Sequence, residues 1–160
     1  WKEYSKFKDD EAWLKSDCYK WLNESFINEA FSKEEISCLN PDAAGSVSLI
    51  SSDDFKNKAF GFETKKSRFS YGTPYSYKQG PAGLYVYSKS KSSPIWTRTR
   101  SKQKHAQRTT KVDGSIGYAA VSWKDIGVRP VIWILMDKVE ILGGNGSLEN
   151  PYVLRPLGAR

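Results

Sequence analysis

An Asp-Gly pair between two β-prone runs does most to limit what this chain can become. Val112-Asp113-Gly114-Ser115 has the spacing of a tight type I′ turn, because Asp and Gly tolerate the positive φ that such a turn demands. Strands are therefore expected on both sides of it. Further along, the run from Val128 to Leu135 (VRPVIWIL) reads as a buried strand. Its Pro130 has no N–H to give a ladder, so this strand should start, bulge or lie on an edge there. The stretch Ser93 to Leu135 also holds three of the six tryptophans, Trp96, Trp123 and Trp133. They are expected to anchor a β-sheet core.

The chain has 160 residues, 39% of them hydrophobic and 14% aromatic. That suits a single folded domain over residues 1–160, large enough to bury roughly 70% of its unfolded surface. No apolar run approaches the ~20 residues that span a bilayer. The chain begins at Trp1 without a Met, so a processed chain or a fragment is expected. Cys18 and Cys38 are too few for a disulfide scaffold and show no metal spacing. They are either two small buried side chains or one bridge between neighbouring helices. With His105 the only histidine, a His-based metal cage is not available, and no metal or cofactor is expected. The net charge of +7 attracts polyanions in general. Its densest cations are Lys89, Lys91, Arg98, Arg100, Lys102, Lys104, Arg108 and Lys111, with no acid between Lys89 and Lys111.

Taken in order, Trp1 to Asp10 reads as an arm or loop. A helix should begin near Ser16, capped by Ser16 or Asp17, with Cys18, Trp21, Leu22 and Phe26 on one apolar face. Trp21 is thereby a structural residue. After a break near Ile27, Ser32-Lys33-Glu34-Glu35 has the pattern of a capping box opening a short helix through Cys38. A β-prone segment at Ser46 to Ile50 precedes the acidic helix start Ser51-Ser52-Asp53-Asp54, and a brief helix should run to Phe60. Arg68 to Tyr77 reads as an ordered surface loop. Strands follow at Leu84–Tyr87 and Ile95–Arg100, and a terminal hairpin joins Val139–Leu142 to Tyr152–Leu154 across Gly143-Gly144-Asn145-Gly146. Helices first and strands later point to α+β with a largely antiparallel sheet.

Three sets of residues are candidates for function. Period-2 alternation puts Trp96, Arg98 and Arg100 on one strand face, where an aromatic ring beside guanidinium groups could stack on a sugar or base and grip a carboxylate or phosphate. The competing reading makes Trp96 a core residue and Arg98 a structural partner. Lys104 and His105 belong on a loop rim beyond that strand, with Tyr75 and Tyr77 as further ligand contacts. Arg129, inside an apolar strand, must be paired if buried; a structural clamp is one reading and a ligand contact the other. Asp53 with Asp54, and Glu149-Asn150-Pro151, invite a calcium reading, but the first serves as a helix start. Catalysis lacks its usual signatures: there is no G-x-S-x-G, P-loop or HExxH, and His105 has no visible acidic orienter.

The order of several motifs resembles a bacterial family of surface or secreted domains whose members carry WWLRSP…GVRPALWI-type motifs. The matching residues run from Ser16-Asp17 and Lys20-Trp21-Leu22-Asn23 through Ala30-Phe31-Ser32 with Glu34-Glu35 to Thr73-Pro74-Tyr75. They continue through Trp96-Thr97-Arg98, Asp113-Gly114, Gly127-Val128-Arg129-Pro130 with Trp133-Ile134, and the Gly143 to Tyr152 ending. The chain departs where the family shows RSPG, reading Arg98-Thr99-Arg100 instead, and the strands that usually precede the helix look missing. The pattern is also similar to C-type-lectin-like folds, in particular the formylglycine-generating, sulfatase-modifying branch. That resemblance implies early short helices packed on a twisted sheet, with irregular loops used for binding. The cysteines do not stand where that branch keeps its catalytic pair, so its chemistry is not carried over. The expected protein is a non-catalytic recognition domain, extracellular or on a bacterial surface, binding a glycan or a protein without membrane insertion. A nucleic-acid-binding module using residues 89–111 is the alternative, and a sulfatase-modifying-type enzyme relative the third reading.

Overall fold

The computed structural model describes residues 9–42, 44–72, 92–103, 106–123, 126–147 and 149–158. The expected strand at 84–87, most of the N-terminal arm, and Tyr75, Tyr77, Lys104 and His105 lie outside the described residues.

Helices come first. α1 (Asp9–Leu14) occupies part of what the sequence suggests is an arm and loop. It is followed by α2 (Asp17–Lys20), a π-helical stretch (Trp21–Phe26) and α3 (Ile27–Ala30), which run on without a break. Of the two candidate caps, Ser16 takes the role. Its Oγ accepts the Tyr19 N–H at 3.0 Å and donates to the Trp13 carbonyl at 2.7 Å. The π-helical stretch, with its i→i+5 bonding, replaces the expected break. The expected apolar stripe holds for Leu22, which lies in the core, and for Cys18 and Phe26, which pack against it, and fails for Trp21. Leu22 and Ile27, five residues apart, point inward, while Trp21 is 46% exposed and stacks on Phe26 at 5.3 Å. α4 (Lys33–Ile36) opens on a complete capping box. The Ser32 N–H reaches Glu35 Oε2 at 2.8 Å, and the Glu35 N–H reaches Ser32 Oγ at 3.2 Å.

Among the described residues the strands form three small antiparallel sheets, so the fold is α+β, but with these strands divided instead of joined in one sheet. β1 (Val47–Leu49) pairs with β5 (Pro130–Ile132), Leu49 opposite Pro130. Pro130 thus stands at the start of its strand, as a residue without an N–H should. The ladder is only three residues long, and Val128 and Trp133 on either side of it are exposed. The expectation of a buried strand over Val128–Leu135 fails for that reason. β1 is the buried partner instead, and the Asn23 amide holds its rim. Asn23 Nδ2 donates to the Val47 carbonyl at 2.8 Å, and the Val47 N–H donates to Asn23 Oδ1 at 3.0 Å.

β2 (Trp96–Arg100), β3 (Ala106–Thr110) and β4 (Ile116–Ala120) form the second sheet. The Asp-Gly hairpin is present between β3 and β4, shifted by one residue from the expected type I′ turn. The Gly114 N–H donates to the Lys111 carbonyl at 2.9 Å, and the Lys111 N–H to the Ser115 carbonyl at 2.7 Å. Val112 and Asp113 are therefore the central turn residues, and Gly114 follows as a left-handed bulge at φ 75°, a common three-residue hairpin form. A Cβ at Gly114 would collide with the Lys65 carbonyl. β6 (Val139–Gly143) and β7 (Val153–Pro156) form the third sheet, the expected terminal hairpin. The helix expected up to Phe60 is instead two single 3₁₀ turns, Asp54–Lys56 and Lys58–Phe60.

The core gathers Trp13, Leu22, Ile27, Leu39, Ala44, Val47, Leu49, Trp96, Ala119 and Ile126. Among the tryptophans Trp96 does anchor it, together with Trp13, whose indole Nε1 donates to the Ala44 carbonyl at 2.8 Å. Trp133, at 40% exposed, lies outside it and packs on Phe60 at 5.6 Å. Its strand is too short to carry it inward. Both cysteines are free, Cys38 buried and Cys18 half-buried, and burial pushes the Cys18 thiol up to about 11.

Candidate functional site

β2 does not present Trp96, Arg98 and Arg100 as one face. Trp96 stands opposite Thr109 and Arg100 opposite Gln107, so four steps along β2 match two along β3. A bulge of this kind breaks the alternation on which the expected face rests. Trp96 turns into the core at 5% exposure and cannot serve as a stacking platform. Arg98 is half-buried and engaged. Its Nη1 donates to the Leu49 carbonyl at 2.9 Å and lies 3.4 Å from Asp54 Oδ2. The same carboxylate oxygen accepts the Ser51 N–H at 3.0 Å, so Arg98 ties β2 to β1 and to the turn after it. Arg100 is half-buried at the end of β2.

Arg129 departs from the expectation of a buried, paired cation. It precedes the first ladder residue of β5, remains exposed, and makes one long contact, Nη1 to Ser70 Oγ at 3.2 Å. Among the described residues no carboxylate pairs with it. Asp53 pairs with Lys56 at 2.7 Å in the open. Among the described residues no group of three or more His, Cys, Asp or Glu side chains is placed to hold a metal ion. Among them also, no helix is long and apolar enough to cross a membrane.

What the second sheet does present is the pair Arg108 and Tyr118, directly opposite each other on β3 and β4. Their neighbours Gln107, Thr109 and Ala119 are buried, so period 2 turns Arg108 and Tyr118 outward. Tyr118 is 51% exposed, and the Arg108 guanidinium makes no hydrogen bond or ion pair with the described residues. Beside them on the same face stand Ala106 and Ala120, also paired. Two methyl groups leave a shallow shelf against the tyrosine ring. The turn leaving β4, closed by the Trp123 N–H on the Ala120 carbonyl at 3.0 Å, sets Trp123 into solvent at 61% exposure.

The hairpin that carries this face is fastened at its tip. Asp113 Oδ1 accepts the Ser115 hydroxyl at 2.6 Å and the Ser115 N–H at 3.0 Å, and Lys65 Nζ lies 3.4 Å from the other carboxylate oxygen. The Ser115 hydrogen bonds, helped by Lys65, hold the Asp113 carboxyl down at about 2. Inside the sheet Gln107 Nε2 donates to the Thr97 carbonyl at 2.9 Å, and Thr97 Oγ1 donates to the Arg108 carbonyl at 3.0 Å. The interior under the platform is thus polar and partly hydrogen-bonded, with Gln107 Oε1 buried without a partner.

Sequence reasoning puts its cation-aromatic candidate on β2, where Trp96 is buried, and does not single out Arg108 and Tyr118. The signal for that pair is present in the Asp-Gly hairpin, since a hairpin register pairs Arg108 with Tyr118 once the turn is set. No family model, no curated protein and no solved structure gives a match to this chain.

Proposed function

We propose that this chain is a non-catalytic recognition domain, C-type-lectin-like in fold, of a bacterial surface or secreted protein. Its ligand is an acidic glycan held on the outer face of the β3–β4 hairpin. The C-type-lectin-like reading and the bacterial surface setting rest on the order of sequence motifs. The ligand reading rests on one observation: an uncommitted guanidinium lies across from a half-exposed tyrosine on a fixed strand pair, with the Ala106–Ala120 pair on one side and the Thr110–Ile116 pair on the other. A tyrosine ring packs against the apolar face of a pyranose, and the guanidinium fork matches a carboxylate bidentately. Both groups stand on paired strands and not on loops, so no backbone has to be ordered when ligand binds.

The test is titration with trigalacturonate, with maltotriose as the neutral control and a twelve-residue oligothymidylate as the polyanion control. Trigalacturonate should bind, and Arg108→Ala and Tyr118→Ala should each weaken it by about tenfold, the scale of one charge-assisted contact. Melting should barely change for either variant, because both side chains face outward. Its affinity should fall with a log-salt slope near one for the single cation involved, whereas oligothymidylate held by the whole basic surface would show a steeper slope. Tighter oligothymidylate binding that survives Tyr118→Ala would turn the assignment to the nucleic-acid reading.

A further inference from the structure

An apolar pocket of ≈150 Å³ lies between α4, β5 and the inner face of the β6–β7 ribbon. That volume matches the space an engineered protein cavity offers to one benzene ring, so it suits a single aliphatic or aromatic side chain. Leu39, Ile132, Val139 and Leu154 form much of its wall, and Glu35 stands at its edge. Glu35 gives Oε2 to the capping bond from Ser32, and neither Glu35 nor its exposed neighbour Glu34 has a cation within ion-pair distance among the described residues. Lys138 stands at the same corner but gives its Nζ to the Ser37 carbonyl at 3.1 Å, so the Glu35 carboxylate keeps its charge without an ion pair.

The ribbon beside the pocket is equally unfinished. β6 and β7 pair only with each other among the described residues, so each keeps an edge without a ladder partner. Around its distal end Ile141, Leu142, Tyr152 and Val153 are all at least half exposed. The bulge between Ile141 and Gly143 and the proline at Pro156 blunt the edges in part, and the rest is open to an added strand.

We infer that this corner binds an extended peptide segment of a partner protein, which adds as a strand to the ribbon. One apolar side chain of the segment fills the pocket, and a lysine or arginine two residues along, on the same strand face, pairs with Glu35. Main-chain hydrogen bonds supply the attachment and the pocket selects the anchor. The acidic rim selects against acidic segments, because like charges on the two sides would repel. This site is separate from the Arg108–Tyr118 face and does not depend on its function.

The probe is a fluorescein-labelled, capped octapeptide in which threonine alternates with leucine and lysine in turn, so that leucine and lysine share one strand face, compared with versions in which alanine replaces leucine or glutamate replaces lysine. The leucine-lysine peptide should saturate, and each replacement should weaken it by about tenfold or more, one charge-assisted bond or one buried side chain being worth that much. Glu35→Gln keeps the capping box, since Gln also serves at that position, and should lower affinity for the lysine peptide by about tenfold. It should leave a leucine-serine peptide unchanged. Equal binding of the alanine and leucine peptides would overturn the pocket as anchor, and an unchanged affinity in Glu35→Gln would overturn the charge selection. Absence of saturable binding would overturn the peptide site altogether. Sedimentation that shows the protein self-associating, and Ile141→Lys abolishing it, would give the face to a second copy instead.

Discussion

In the β3–β4 hairpin the inward side chains Gln107, Thr109 and Ala119 are all sealed from solvent, whereas in the β6–β7 hairpin the inward Ile141 remains 50% exposed. Both hairpins are antiparallel and both close through glycines at positive φ, Gly114 in one, Gly144 and Gly146 in the other. They differ in what lies beneath. The first has β2 along its edge and the core cluster under Ala119, so its inner face is complete and its outer face can be spent on a ligand. The second covers only a small cavity and keeps a polar outer face, where Arg155 and Glu140 pair at 2.6 Å. Turn chemistry makes a hairpin, but the packing beneath it decides which face is left for function.

Single substitutions should expose that difference most strongly at the inward positions. Gln107→Ala removes the donor that satisfies the buried Thr97 carbonyl and leaves a void, so it should destabilise by about 3 kcal/mol. Ile141→Ala trims a half-exposed side chain and should cost under about 1 kcal/mol. Urea unfolding of both variants checks the pair. Similar losses would show that the terminal hairpin is packed as tightly as the first, and would weaken the case for a docking face there.

The glycines offer a second, smaller contrast. A methyl group at Gly114 meets the Lys65 carbonyl, from a loop well removed in sequence, while one at Gly144 meets the Pro151 carbonyl of its own hairpin. Each alanine carries the ~1–2 kcal/mol of a left-handed conformation. Gly114→Ala must also lift the hairpin from the body of the domain, so its thermal midpoint should drop further than that of Gly144→Ala. Amide exchange in Gly114→Ala should accelerate around Lys65 as well as in β3 and β4. In Gly144→Ala the acceleration should be confined to β6 and β7.

The existence of both hairpins is legible in the sequence, because glycine-bearing turns between β-prone runs carry a local signal. The Ser32–Glu35 capping box is legible for the same reason: every bond it makes lies within four residues. Failures occur where the deciding contact is distant. Trp21 and Trp133 look like core residues by composition, yet one stands exposed on the π-helical stretch and a three-residue ladder strands the other. Trp13, in a segment with no clean periodicity before it, owes its burial to the carbonyl of Ala44, which no window around residue 13 contains. The β2 bulge is equally silent in the sequence WTRTR, whose alternation reads as a plain strand. Arg129 misleads for a different reason. An arginine among apolar residues implies a buried charge only if those neighbours are themselves buried, and Val128 is not.

The smallest effect expected is at the tip of the β3–β4 hairpin, where pH can separate the two hairpins without mutation. Asp113 titrates at about 2 in the folded chain, below the ordinary 3.8, because its charged form accepts two hydrogen bonds from Ser115 and lies near Lys65. A carboxyl whose folded value is depressed contributes stability that is fully present above its unfolded value and fades as pH falls through the folded one. The contribution of Asp113 should therefore be intact above about pH 4 and decline between about pH 4 and 2. The group is exposed at the turn, so solvent screening keeps the effect small. Amide exchange at Ser115 and Gly114 should quicken across that window relative to Asp113→Asn, which keeps a hydrogen-bond acceptor but has no titrating proton. The amides of Gly144 and Gly146 serve as the reference in the other hairpin. If wild type and Asp113→Asn respond alike to acid, the tip is held by its backbone turn alone, and the Asp113–Ser115 contact adds nothing to the rigidity of the Arg108–Tyr118 face.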